Sequence, residues 1–116
     1  MSAPVVWFEV MGQDADKLQA FYGQLFQWEF TGMGADYAMV AKAAEGIPGG
    51  VGKAPQGPGH VTFYVAVPDI NATLAEAEAQ GGQILMPRTV MPEVTLALFA
   101  DPEGHVVGIV EPNAES

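Results

Sequence analysis

The 116-residue sequence predicts an α+β fold in which two tandem β-α-β-β-β modules form a curved mixed sheet around a cleft. Three observations carry the prediction. A β-rich run, an Asp and a helical apolar stripe occur in that order twice. Each helix is followed by three short β-rich runs broken by turn residues. Between the two series lies GKAPQGPG at 52–59, with its Pro and Gly and little to bury. The modules span about 4–53 and 60–112, with 54–59 as linker, and at roughly 150 residues per domain this is one domain.

In the first module, residues 4–10 are rich in β-branched and aromatic side chains and read as a strand that stops at Gly12-Gln13. Asp14 is placed as a helix N-cap. Leu18, Phe21, Tyr22, Leu25 and Phe26 follow at the spacing of one buried helix stripe. Residues 28–31, 37–42 and 47–53 then read as three successive antiparallel strands. In the second module, 60–67 is a strand, Asp69 an N-cap, and Leu74, Ala77 and Gly81 a thinner stripe that ends at Gly81-Gly82. Strands follow from 83–85 with some extension, at 95–100 and at 105–111, with Asp101-Pro102-Glu103-Gly104 as the last hairpin turn.

The register of the repeat tests it. Setting Asp14 on Asp69 gives an offset of 55, which pairs Trp7 with Thr62, Phe8 with Phe63, Glu9 with Tyr64 and Val10 with Val65. Setting Glu45-Gly46 on Glu103-Gly104 gives an offset of 58, which pairs Gly50 with Gly108 and Val51 with Ile109. The three extra residues are expected in an irregular connection over 86–93, where two Pro fall.

Composition narrows the function. With 49% apolar and 16% charged residues, the chain has a core to bury and is no disordered acidic segment. Four Lys+Arg against fourteen Asp+Glu give −10, a charge that repels phosphate backbones and anionic membrane surfaces and leaves a cationic or neutral small molecule open. With no Cys there are no disulfides or thiolate sites, and no basic leader or run of about 20 apolar residues is seen, so a cytoplasmic protein is expected. The phosphate-cradling and nucleophile-elbow glycine motifs are missing, and the only serines, Ser2 and Ser116, are terminal.

VWFEV, FYGQLFQWEF, GHVTFYVAVPDI, AEAQGGQIL and FADPEGHVVGIVEP together resemble the vicinal oxygen chelate superfamily, which includes glyoxalase I, extradiol dioxygenases and bleomycin-resistance proteins. The resemblance covers about 4–112. It rests on fold and turn residues, which do not specify a reaction. For metal-dependent members it implies a His or Glu on the first strand and a Glu on the last strand of the paired units. Here those positions fall on Trp7 and Thr62, and on Gly50 and Gly108, none of them a strong donor.

Nearby residues can still furnish a cleft. Glu9 shares a strand face with Trp7, and His60 and Tyr64 share one with Thr62, whereas Glu111 faces away from Gly108 and His105 sits beside a turn. Glu9 lies mid-strand between apolar neighbours, where a carboxylate needs a partner, and its repeat mate Tyr64 or the backbone is expected to supply it. It is the candidate catalytic residue. Trp7, Glu9, Thr62, Tyr64 and His60 are the candidate ligand-binding residues, with no metal and no cofactor expected.

Two functional readings follow. The first is a small-molecule-binding protein, similar to the bleomycin-resistance branch, that takes an aromatic or cationic compound. The alternative is a divalent-metal-dependent lyase, isomerase or dioxygenase, or an enzyme using Glu9 as base. A cleft without activity is a third. Sheet edges and the resemblance point to a homodimer.

Overall fold

The structure, a computed structural model, describes residues 2–32 and 36–112. Ser116 lies outside the described residues. Eight strands and two helices follow the predicted order: β1 Val5–Gly12, α1 Ala15–Phe26, β2 Phe30–Gly32, β3 Tyr37–Val40, β4 Gly49–Lys53, then β5 His60–Ala66, α2 Ile70–Ala79, β6 Gln83–Val90, β7 Thr95–Ala100 and β8 Val106–Glu111. The α+β class and the doubled β-α-β-β-β order are those the sequence predicts. The chain divides into two compact units, an N-terminal one of Trp7–Thr62 and a C-terminal one of Met1–Val6 with Phe63–Ser116.

In the N-terminal unit β1 pairs in parallel with β4, β4 is antiparallel to β3, and β3 is antiparallel to β2. Asp14 caps α1 by accepting a hydrogen bond from the Lys17 N–H at 3.0 Å. Gln27 ends the helix in the left-handed region, φ 59°, so the strand predicted from residue 28 begins only at Phe30. The core is Val10, Val40 and Val51, with Phe8, Leu18, Tyr22, Trp28 and Phe30 packed against it.

One expectation is corrected here. Leu18 and Tyr22 of the predicted α1 stripe reach this core, but Phe21, Leu25 and Phe26 are 58%, 58% and 53% exposed. Helical periodicity marks an apolar face without showing what covers it. The strands beneath α1 cover its face from Ala15 through Leu18 and Gln19 to Tyr22, and Phe21 and Phe26 touch the core at its margin, through the rings of Tyr22 and Trp28.

In the C-terminal unit β5 pairs in parallel with β8, β8 is antiparallel to β7 and β7 to β6. The Pro4 carbonyl accepts from the Ala66 N–H at 2.9 Å, which ties the chain's first residues to this unit. Asp69 caps α2, accepting from Ala72 N–H at 3.1 Å, and Gly81, at φ 98°, turns the chain out of the helix as the Gly81-Gly82 signal predicts. Ile70 and Leu74 of α2 meet Val67, Ala97 and Ile109 in a closed core, with Ile70 fully buried. The Asp101–Gly104 turn closes through the Gly104 N–H donating to the Asp101 carbonyl, with Gly104 at φ 90°.

The irregularity expected over 86–93 is present, and it lies largely inside a strand. β6 runs on to Val90 and absorbs Pro87 within the second of two register shifts, at Ile84/Met86 and Met86/Thr89. A bulged strand that pairs only with β7 tolerates a proline, because no ladder bond is needed on its other side.

The repeat register holds in space. Glu9 is the Cα partner of Gly50 and Val10 of Val51, while Tyr64 is the partner of Gly108 and Val65 of Ile109. These are the positions that the two offsets connect.

Candidate functional site

Strand alternation divides β1 between two tasks. Phe8 and Val10 turn toward α1 and join its core. Trp7 and Glu9 therefore lie on the opposite face of the strand, away from the helix. There Tyr37 of β3 meets both: its Oη donates to Glu9 Oε2 at 2.9 Å and accepts from Trp7 Nε1 at 3.3 Å. Burial pushes the Tyr37 phenol above its ordinary range, and the neighbouring Glu9 charge and the bond to it push the same way against the smaller opposing effect of Trp7. The phenol stays protonated and holds the carboxylate by a donated proton.

The sequence points to Tyr64 or the backbone as the partner of Glu9, and Tyr37 is a partner it does not single out. The signal that could have found it lies in β4, whose GGVGK places three glycines in one short strand. A strand so poor in side chains packs only if rings from its neighbours lie over it. A Cβ at Gly49 would overlap the Phe8 ring, one at Gly50 would overlap Tyr37 Oη and Cζ, and one at Gly52 would meet the Tyr37 ring and the Asp36 carbonyl. Phe8 covers the helix side, and Tyr37 covers the side that carries Glu9.

His60 and Thr62 also belong to this unit and share one face of β5. Thr62 is buried. The Nε2 of His60 is the one buried side-chain nitrogen or oxygen among the described residues that finds no partner. Such an atom is satisfied by a water or a ligand. The preceding Gly59, at φ 96°, lies so close to the Met11 carbonyl that no Cβ fits, which sets the start of β5 against the end of β1.

In the C-terminal unit Tyr64 is buried, and a Cβ at its partner Gly108 would overlap its ring. Glu111 points elsewhere, as alternation predicts. Its Oε2 accepts from the Ile70 N–H at 2.7 Å, at the first turn of α2, and its Oε1 binds Arg88 through Nε at 3.1 Å and a second guanidinium nitrogen at 2.9 Å. The Arg88 bonds, with that of Ile70, hold the Glu111 carboxyl below its ordinary range. His105 is exposed, and its Nδ1 lies 3.0 Å from Asp101 Oδ2, so it serves the turn. A shallow depression of about 280 Å³ between α2 and β7 is lined by Glu76, Gln80, Phe99 and Asp101. Its polar groups already bond one another or the turn.

Among the described residues no group of three or more His, Asp or Glu is placed to hold a metal ion. No described helix is long and apolar enough to cross a membrane.

The doubled module, with matching registers in both halves, defines a glyoxalase-like fold. The family model for the glyoxalase-like domain matches residues 7–110, and the chain belongs to that family. It is 31% identical over 115 residues to "Putative glyoxylase CFP32" of Mycobacterium bovis and of Mycobacterium tuberculosis, covering 93% of this chain and 44% of those proteins. The chain thus spans under half the length of the curated relatives it matches. Among solved structures, the Mn(II)-bound glyoxalase of Novosphingobium aromaticivorans aligns with a TM-score of 0.69 at 18% identity, over 94% of this chain and 38% of that one. A glyoxalase/bleomycin resistance protein/dioxygenase superfamily member from Vibrio splendidus aligns at 0.65 and 20% identity, over 96% of this chain and all of the other. At such identities the likeness is one of fold, on which unrelated chemistries are built.

Proposed function

We propose that this chain is a metal-free glyoxalase-like protein that binds a small aromatic or cationic compound. The observation that carries the reading is Glu9, held by Tyr37 at 2.9 Å beside the Trp7 indole on the helix-free face of β1. A carboxylate framed by aromatic rings attracts an organic cation by charge and by the π faces together. His60 Nε2, buried and without a protein partner, adds a polar group that a ligand or water would satisfy. Thr62, buried on the face of β5 that carries His60, completes the proposed set of binding residues in this unit.

A divalent metal does not fit the positions that the family resemblance marks. Trp7 and Thr62 offer no strong donor, and Gly50 and Gly108 carry no side chain. The space where a donor side chain would start from those glycines is filled by Tyr37 and Tyr64. We therefore route no chemistry through a metal.

The test combines elemental analysis with thermal shifts. Mn, Ni and Zn salts should leave the melting point unchanged, whereas benzylamine or benzyltrimethylammonium should raise it saturably, as any ligand of the native state does. Glu9→Gln, checked for folding by circular dichroism, should lose the response to the cations. Near one metal ion per chain, or an equal response in Glu9→Gln, would reject the reading.

The same proposal places the protein in the cytoplasm as a homodimer. The net charge of −10 argues against nucleic acid and anionic membrane as partners. The exposed Phe21, Leu25 and Phe26 of α1 offer an apolar face for a second copy. Light scattering on the purified chain tests it, with a monomer mass as the contrary result.

A further inference from the structure

A glycine overlaid by a ring occurs in both units, on strands that the repeat makes equivalent. Phe8 over Gly49 belongs to the α1 core and needs no other account. Gly50 and Gly108 differ, because the repeat relates them to each other and the family resemblance places carboxylate donors there. Each is covered by a tyrosine, and the two tyrosines arrive by different routes. Tyr37 comes from β3, where its own Cα partner is Gly52, and its ring reaches along β4 to Gly50. Tyr64 stands on β5 as the direct Cα partner of Gly108.

Neither ring is free to swing aside. The Tyr37 hydroxyl is held between Trp7 and Glu9, at 3.3 and 2.9 Å, so moving it off Gly50 breaks both bonds. Tyr64 is 7% exposed, and its displacement would empty its place over β8. A side chain at either glycine must evict a ring that the surrounding structure retains.

We infer that in each half a tyrosine occupies the volume that a donor side chain would need, so that ring and glycine form one coupled pair and no single Gly→Glu change at 50 or 108 creates a chelating position. The inference rests on the metal-free reading above and gives it a steric cause. It also closes both positions to chelation from β4 and β8.

Two double-mutant cycles on the full chain test it: Gly50→Ala with Tyr37→Ala, and Gly108→Ala with Tyr64→Ala, read as melting temperature. Overpacking should lower the melting point by roughly 5–15 °C when the tyrosine is present. Most of that loss should vanish when the tyrosine is already alanine, which is the signature of contact between the sites. Should Tyr37→Ala not fold, valine, which ends short of the overlapping Oη, Cζ and Cε2, takes its place; should Tyr64→Ala not fold, serine, whose single γ atom can turn away from Gly108, takes its place. Additive losses in a cycle overturn the pairing for that half. A parallel Mn and Zn titration of the unmutated chain separates the two claims. Coupled cycles with no metal bound support both. Coupled cycles with near one ion per chain retain the exclusion at Gly50 and Gly108 and overturn the metal-free reading.

Discussion

The two units share a backbone plan and differ in what stands on it. Both pair their first strand in parallel with their last, and Glu9 over Gly50 answers Tyr64 over Gly108 at equivalent registers. In the N-terminal unit this position keeps a carboxylate, which Tyr37 is recruited from β3 to satisfy. In the C-terminal unit the same position is itself a buried tyrosine, and Glu111 of β8 is turned to the helix side, where it holds the start of α2 and Arg88. A duplicated scaffold thus fixes where a side chain can stand and leaves its chemistry to substitution. The unit that keeps a charged group on its helix-free face is the one on which a ligand site is proposed.

The helices differ in the same way, and this difference sets the largest expected effect. Ile70 of α2 is fully buried in a closed core, whereas α1 contributes the partly buried Leu18 and Tyr22 to its own. Ile70→Ala should cost about 2–5 kcal/mol, the range for deleting a buried aliphatic side chain. Leu18→Ala should cost less, because a half-covered site leaves a smaller cavity. Urea denaturation of both variants checks the order, and equal losses would mean that α1 is as well covered as α2.

Next in size is the Tyr37 hydroxyl. Tyr37→Phe removes the donor to Glu9 and the acceptor for Trp7, and should cost about 1–2 kcal/mol near neutral pH. The Tyr37 phenol lies above its ordinary value, so its contribution is complete below about pH 10, where the unfolded tyrosine begins to ionise. That contribution is lost as pH rises further. The stability gap between the unmutated chain and Tyr37→Phe should therefore narrow above pH 10, and a constant gap would show that the hydroxyl is not linked to Glu9 as described.

Much of this was legible beforehand, for physical reasons. Both N-caps, the Asp101–Gly104 turn and the order of elements depend on short-range chemistry that a sequence displays. The need of Glu9 for a partner was legible from its apolar neighbours. Tyr37 was not, because its meeting with Glu9 depends on β3 crossing to β4 and on how far one ring reaches over glycines. The exposure of Phe21, Leu25 and Phe26 was hidden for a related reason: periodicity gives the direction of a face and not the extent of the sheet beneath it.

Acid should sharpen the contrast between the two carboxylates. Glu111 is held below its ordinary value by Arg88 and the Ile70 N–H, with Asp69 close enough to reinforce the charge on Arg88. A depressed carboxyl contributes stability that is present above its unfolded pKa, about 4.3, and lost as pH falls through the folded value. Glu111→Gln should melt below the unmutated chain at pH 7, with the difference closing toward pH 3. A difference that persisted in acid would assign the effect to the shape of the side chain and not to its charge.

The smallest expected effect on folding falls at Phe21. Its ring is 58% exposed and meets Tyr22 edge-on at a centroid distance of 5.1 Å, so Phe21→Ser removes little buried area from the chain itself. A loss within about 0.5 kcal/mol at low protein concentration is expected, as for surface positions in general. If a second copy covers α1, the same substitution should matter far more as concentration rises, because association stabilises only the folded partner. The melting point of the unmutated chain would then climb with concentration while that of Phe21→Ser stayed flat. A parallel climb of the two would place the dimer contact elsewhere, and two flat profiles would reject the dimer; either leaves the open edge of α1 as a property of the N-terminal unit alone.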